Sequence, residues 1–178
     1  MNSYTTSRKG FSLVELVIVI VILGVIAAIA IPRISSGSKN AGEAALRANL
    51  QSLRNAIDWY YSEHNNYFPG AVPDGFNGAN TAECFIAQLL QYTNAAGETS
   101  TLKDAAHPFG PYLRSSFPKQ TVGLKAGIAN IYVNPIDDKL TPDMAQNAGW
   151  VYSTHTGQII PNVDAATLGS DGIAYVDY

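Results

Sequence analysis

A stretch of 21 residues, 11–31, is apolar except for Ser12, Glu15 and Gly24, and it constrains this chain more than any other feature. As a helix rising 1.5 Å per residue it reaches roughly 30 Å, the hydrocarbon thickness of a bilayer. Arg8 and Lys9 stand before it, and the positive-inside tendency puts that end in the cytoplasm and sends the rest across. Two explanations compete. One is a secretory signal peptide, with a charged start, an apolar stretch and a small-residue site at Ala28-Ile29-Ala30. Against it, the apolar region of a signal peptide covers only ~7–15 residues, and the helical pattern here continues past Pro32. The other starts from Glu15. A carboxylate at the centre of a membrane segment costs about 2.5–3.5 kcal/mol, so such groups are as a rule paired and functional. Snorkelling to the nearby interface lowers that cost without any function.

The string Lys9-Gly10-Phe11-Ser12-Leu13-Val14-Glu15-Leu16 resembles the processing site of type IV prepilins and type II secretion pseudopilins. The resemblance implies that a membrane aspartyl peptidase cuts after Gly10 and methylates the new N-terminal Phe11. Glu15, Gly24 and Pro32 stand in register with that cut. Cleavage creates an ammonium at Phe11 beside the apolar layer, and the Glu15 carboxylate of a neighbouring copy can neutralise it. Two groups costly to leave alone then become one pair at a subunit contact, which favours assembly. Gly24 and Ala28 form a small-x-x-x-small face for close helix packing, and Pro32 removes a backbone hydrogen bond and is expected to kink the helix.

Beyond the apolar run, Leu46, Leu50, Leu53, Ile57 and Tyr60 recur at helical spacing and predict an amphipathic continuation. Lys39–Glu43, Glu43–Arg47 and Arg54–Asp58 read as i,i+4 pairs on its exposed faces. One helix is therefore expected from about residue 12 to about residue 63. The aromatic group Trp59, Tyr60, Tyr61, Tyr67 and Phe68 reads as core packing where this stalk meets a head.

Residues 65–76 are rich in turn formers, and Thr81 is a candidate N-cap for a short helix to about Tyr92, with Phe85, Ile86, Leu89 and Leu90 inward. Strand signals fall at 127–133, 150–153, 158–160 and 172–176, with a hairpin turn at Thr154-His155-Thr156-Gly157. The fold class expected is α+β: a long N-terminal helix packed on a small antiparallel sheet, pilin-like by resemblance. The partition expected is a cleaved leader (1–10), a transmembrane assembly segment (11–31), an amphipathic stalk (32–66) and a globular head (67–178).

The head is similar to the same family in Gly110-Pro111-Tyr112-Leu113 with Phe117-Pro118-Lys119, and in Gly149-Trp150-Val151-Tyr152 with Thr156-Gly157-Gln158-Ile159. Its tail, Leu168-Gly169-Ser170-Asp171-Gly172, partly resembles the calcium-binding end of major pseudopilins. Ca²⁺ takes about 6–8 oxygen ligands, of which Asp164, Ser170, Asp171 and loop carbonyls supply some. The plainer reading is that these are surface and turn residues. The single cysteine, Cys84, rules out the intramolecular disulfide that closes the C-terminal loop of many type IV pilins. It lies in an apolar-periodic stretch and reads as a small buried residue.

Net charge of −3 and 14% charged residues give no nucleic-acid surface. His64, His107 and His155 are scattered and fit no catalytic motif, so no enzyme is expected. The function implied is a structural filament subunit, in a periplasmic secretion pseudopilus or in a surface pilus for adhesion, motility or DNA uptake. A membrane-anchored binding domain that never assembles is the alternative. The partners implied are copies of itself, other pilins and pseudopilins, the prepilin peptidase, an inner-membrane assembly platform and membrane lipid. The location implied is the bacterial inner membrane, with a cytoplasmic N-terminus and a periplasmic head, and then the filament.

Overall fold

A computed structural model describes residues 10–136 and 138–178, and the backbone alone of residues 30–36. The first element is a 51-residue helix, α1 (Leu13–Glu63), close to the expected bounds. The chain divides into two compact units, Met1–Lys39 and Asn40–Tyr178, so the division falls within α1. Pro32 lies among the residues whose side chains are outside the description, and the expected kink falls there.

In the second unit the stalk stripe is buried as its spacing requires. Leu46, Leu50, Leu53, Ile57 and Tyr60 are all at 0–1% exposure and belong to one hydrophobic core. Burying five such side chains stabilises by roughly 1.5–3 kcal/mol each, which far exceeds anything the helix gains from surface charge pairs. Asn65 and Asn66 end the helix in left-handed conformations, with φ of 52° and 60°, a role in which asparagine is second only to glycine.

The second helix, α2 (Ala82–Leu90), starts where Thr81 predicts, the Thr81 hydroxyl accepting the Cys84 N–H at 3.2 Å. It buries Phe85 and Leu89, with Ile86 and Leu90 half-buried against the same core. Cys84 is fully buried and donates to the Val72 carbonyl, and burial pushes its thiol up to about 12. That is the inert, space-filling cysteine expected.

Five strands follow: β1 (Tyr92–Thr93), β2 (Thr99–Ser100), β3 (Ile131–Asn134), β4 (Trp150–Ser153) and β5 (Ile159–Pro161). The short antiparallel pair β1–β2 has no counterpart in the sequence reading. Its turn is built by Asn94, whose side-chain oxygen accepts the N–H groups of Ala96 and Glu98, and by Gly97 at φ 90°. The main sheet runs β3-β4-β5, and β4–β5 is antiparallel across the expected hairpin, where Gly157 has φ 71°. β3 and β4, however, are parallel, so the sheet is mixed rather than antiparallel. Residues 135–149 connect them, long enough for the crossover that a parallel pair requires. Residues 172–176 form no strand. The segment folds back on itself through a single Leu168–Ala174 bridge and ends in a 3-10 turn at Tyr175–Asp177.

Two of the five stalk aromatics correct the core reading. Tyr60 is buried and Tyr61 stacks on Phe68 at 4.4 Å, but Trp59 and Tyr67 are 68% and 53% exposed. Trp59 precedes Tyr60 by one residue, so about 100° of helix rotation turns it away from the stripe.

Candidate functional site

The N-terminal unit contains the residues expected to be processed. Gly10 is exposed and non-helical, and Phe11 is 84% exposed. The helix begins two residues later because Ser12 caps it. The Ser12 hydroxyl accepts the Val14 N–H at 3.3 Å, and one Glu15 carboxylate oxygen accepts the Ser12 N–H at 2.9 Å. This reciprocal Ser-x-x-Glu arrangement is a capping box. Its signature, Ser-x-x-Glu directly before an apolar run, stands in the sequence beside the membrane and assembly roles expected of Glu15. The box gives Glu15 a role inside its own chain, and it leaves the exposed Gly10–Phe11 peptide outside the helix.

Within this unit Phe11, Leu13, Val14 and the large apolar side chains from Leu16 to Ile29 are all exposed. A Cβ added at Gly24 would meet nothing within 4 Å. Glycine inside a helix costs about 1 kcal/mol against alanine, and here no contact within the chain requires it. Among the described residues no helix is long and apolar enough to cross a membrane. The described side chains of the apolar run stop at Ile29, two residues short of its end.

Comparison with known proteins bears on this segment first. The family described as "Prokaryotic N-terminal methylation motif" matches residues 5–31, a span that includes Gly10, Phe11, Glu15 and Gly24. The N-terminus carries that methylation motif. The chain is 33% identical over 100 residues to the type II secretion system core protein G of Aeromonas hydrophila, covering 56% of this chain and 62% of that protein. It is 36% identical over 69 residues to the core protein G of Pectobacterium carotovorum, covering 37% of this chain and 44% of the relative. The type IV major pilin protein PilA of Myxococcus xanthus is 33% identical over 76 residues, 43% of this chain and 34% of the relative. The chain thus spans between about a third and three-fifths of the length of these curated relatives. No solved structure matches it.

The calcium candidates lie at the other end. Asp164 is exposed and its Oδ1 accepts the Ala166 N–H, while Ser170 and Asp171 face α1. Glu43, expected on an exposed face, is instead 4% exposed. Its two oxygens accept the Ser170 N–H at 3.1 and 3.0 Å, and they also accept the Ser170 and Tyr175 hydroxyls. Arg47 donates to Asp171. Among the described residues no three His, Cys, Asp or Glu side chains are grouped to hold a metal ion. The donor set does not fit calcium: the Ser170 and Asp171 oxygens already serve protein groups, one of them a cation.

His64 continues the stalk stripe into the core, as a packing residue should. Its ring stacks on Tyr60 with centroids 3.7 Å apart, Nδ1 lies 2.8 Å from the Tyr60 carbonyl, and Nε2 lies 2.9 Å from the Thr93 hydroxyl. With Nδ1–H donating and Nε2 accepting, the ring is neutral, and burial lowers its pKa below the ordinary histidine value. The unfolded chain therefore takes up the proton first as pH falls. The contribution of His64 to stability is complete above about pH 6.5 and is lost as pH drops from there through the folded-state pKa. Thermal melts across pH 4.5–8 should show a decline starting near 6.5, and His64→Gln should flatten that part of the profile at some cost in stability. An unchanged profile in the variant would assign the acid sensitivity to other groups.

Proposed function

We propose that this chain is a structural subunit of a filament, synthesised as a prepilin and assembled through its N-terminal helix. The observation that carries this reading is the methylation motif over residues 5–31, in register with an exposed Gly10–Phe11 peptide at the head of a helix whose described large apolar side chains, as far as Ile29, are exposed. In this reading residues 11–31 span the inner membrane, with the leader cytoplasmic and the head periplasmic. The prepilin peptidase hydrolyses the Gly10–Phe11 bond and the freed Phe11 amine is methylated. An inner-membrane platform then adds the subunit to a filament, where Phe11 and the Glu15 of a neighbouring copy form an ion pair and Gly24 allows close packing. The four-part division into leader, membrane segment, stalk and head belongs to the same proposal.

Of the two kinds of filament, a secretion pseudopilus is favoured by the likeness to core protein G over 100 residues. The likeness to the Myxococcus pilin supports a surface pilus as the second reading. Shearing cells that express a tagged copy separates the two: surface pili are released into the medium and a periplasmic pseudopilus is not.

Processing tests the reading as a whole. Co-expression with a prepilin peptidase should yield a protein that begins at Phe11, with an added methyl group in the mass spectrum. Gly10→Leu should stop the cut and leave the apolar run, and hence membrane insertion, unchanged. A mature chain that begins at Ile31 would mean ordinary signal-peptidase cleavage and would remove the filament reading.

A further inference from the structure

The segment 168–178 is anchored to α1 by three side chains of the helix, Glu43, Arg47 and Arg54. They lie four and seven residues apart and so share one side of it. Each binds a different part of the segment. Glu43 receives the Ser170 N–H and the Ser170 and Tyr175 hydroxyls, as described above. Arg47 reaches Asp171 with Nη2 and lies with its guanidinium carbon 3.9 Å from the centre of the Tyr178 ring. Arg54 donates to the Tyr178 carbonyl at 2.7 Å. Within the segment, the other Asp171 oxygen accepts the Ile173 N–H at 3.1 Å and the Tyr178 hydroxyl at 2.9 Å. Gly169 leaves room for the Tyr178 hydroxyl, which a Cβ there would push aside. The Ile173 N–H, helped by the Tyr178 hydroxyl and the Arg47 guanidinium, holds the Asp171 carboxyl below the ordinary carboxylate range.

We infer that residues 168–178 form a strap latched to α1 by Glu43, Arg47 and Arg54, with the Arg47 guanidinium filling the place of a divalent cation, so that the head closes without calcium. Calcium would need about 6–8 oxygens gathered around one point. Here the carboxylates already serve protein groups: Glu43 accepts from Ser170 and Tyr175, and Asp171 from Ile173, Tyr178 and Arg47. An incoming cation would have to displace a guanidinium that is anchored both by charge and by the Tyr178 ring. The inference does not depend on the filament reading, since the strap closes within one copy.

The test uses the unassembled full chain in detergent micelles, with two readouts. The first is the melting temperature in calcium chloride and in EDTA. The second is the rate at which chymotrypsin cuts after Tyr175, a residue only 3% exposed while the strap is closed. Wild type should melt at the same temperature in both solutions and resist the cut in both. Arg47→Ala should lower the melting temperature by several degrees and speed the cut many-fold. Arg47→Lys should fall between, because it keeps the charge but loses the fork and the stacking. Calcium that raises the melting temperature of wild type or slows its cleavage would overturn the inference, as would an Arg47→Ala chain cut no faster than wild type. Filament assembly enters neither readout, so failure here leaves the proposed function standing, and the reverse holds too.

Discussion

Glu15→Gln should leave cleavage after Gly10 and folding of the head intact, and it should exclude the chain from filaments. The glutamine variant is more informative than alanine because the Glu15 side chain has two tasks that glutamine separates. Within its own chain one oxygen accepts the Ser12 N–H and closes the capping box, which glutamine does as well. Between chains, the proposed assembly contact needs a negative charge against the Phe11 ammonium, which glutamine lacks. Removing one member of a desolvated ion pair costs about 3–5 kcal/mol, a shift of at least about a hundredfold from polymer to free subunit. Glu15→Ala should fail as badly and also loosen the start of the helix. Glu15→Asp should be intermediate, since it retains the charge on a shorter reach. The assay is co-expression with the assembly machinery, then shearing or crosslinking to separate polymer from membrane-bound subunit. A Glu15→Gln chain that polymerises as well as wild type would reduce the carboxylate to a helix cap. The membrane-anchored binding domain that never assembles would then be the better account.

The sequence disclosed those features whose causes are local. The apolar run and the stripe of Leu46, Leu50, Leu53, Ile57 and Tyr60 each report one helix face, so α1 could be placed almost to the residue. Thr81 marked a helix start and Gly157 marked a hairpin turn, because a cap and a positive φ each depend on a few neighbouring atoms. Glu43 shows where this stops. Its spacing to Lys39 and Arg47 indicated surface ion pairs, but Ser170 and Tyr175 lie 127 and 132 residues further along the chain, and no local pattern reveals them. The same distance hid the Arg47–Asp171 pair, and with it the reason that the tail residues are not free to gather around a cation. The direction of β3 was lost for a related reason. Alternation identifies a strand, but only the crossover through residues 135–149 decides whether it runs with or against β4.

Gly149→Ala should be among the most damaging single-methyl changes in the head, although the residue is small, uncharged and remote from the processing site. Gly149 precedes β4, where three pieces of backbone converge. Its N–H donates to the Asn130 carbonyl at 2.8 Å, and its own carbonyl accepts the Asn162 N–H at 2.8 Å. Beside it, the Gln120 N–H donates to the Ile128 carbonyl at 2.9 Å. A Cβ at position 149 would be driven into that Ile128 carbonyl, with the Gln120 Cβ at 2.8 Å behind it. A flexible side chain could swing away, but a backbone carbonyl already engaged in a hydrogen bond cannot. The strain must therefore separate the start of β4 from the segment leading into β3, and Trp150, fully buried next in the chain, must move with it. Overpacking of this kind costs about 1–3 kcal/mol, and the upper end applies because the obstacle is main chain. For a unit of this size about 3 kcal/mol corresponds to a fall in melting temperature of roughly 10 °C. Gly78→Ala is the control, because a Cβ there meets nothing within 4 Å and the residue has no positive φ. Circular-dichroism melts of the two variants beside wild type decide the matter. If Gly149→Ala melts together with Gly78→Ala, the close approach at Ile128 is not what requires a glycine at position 149.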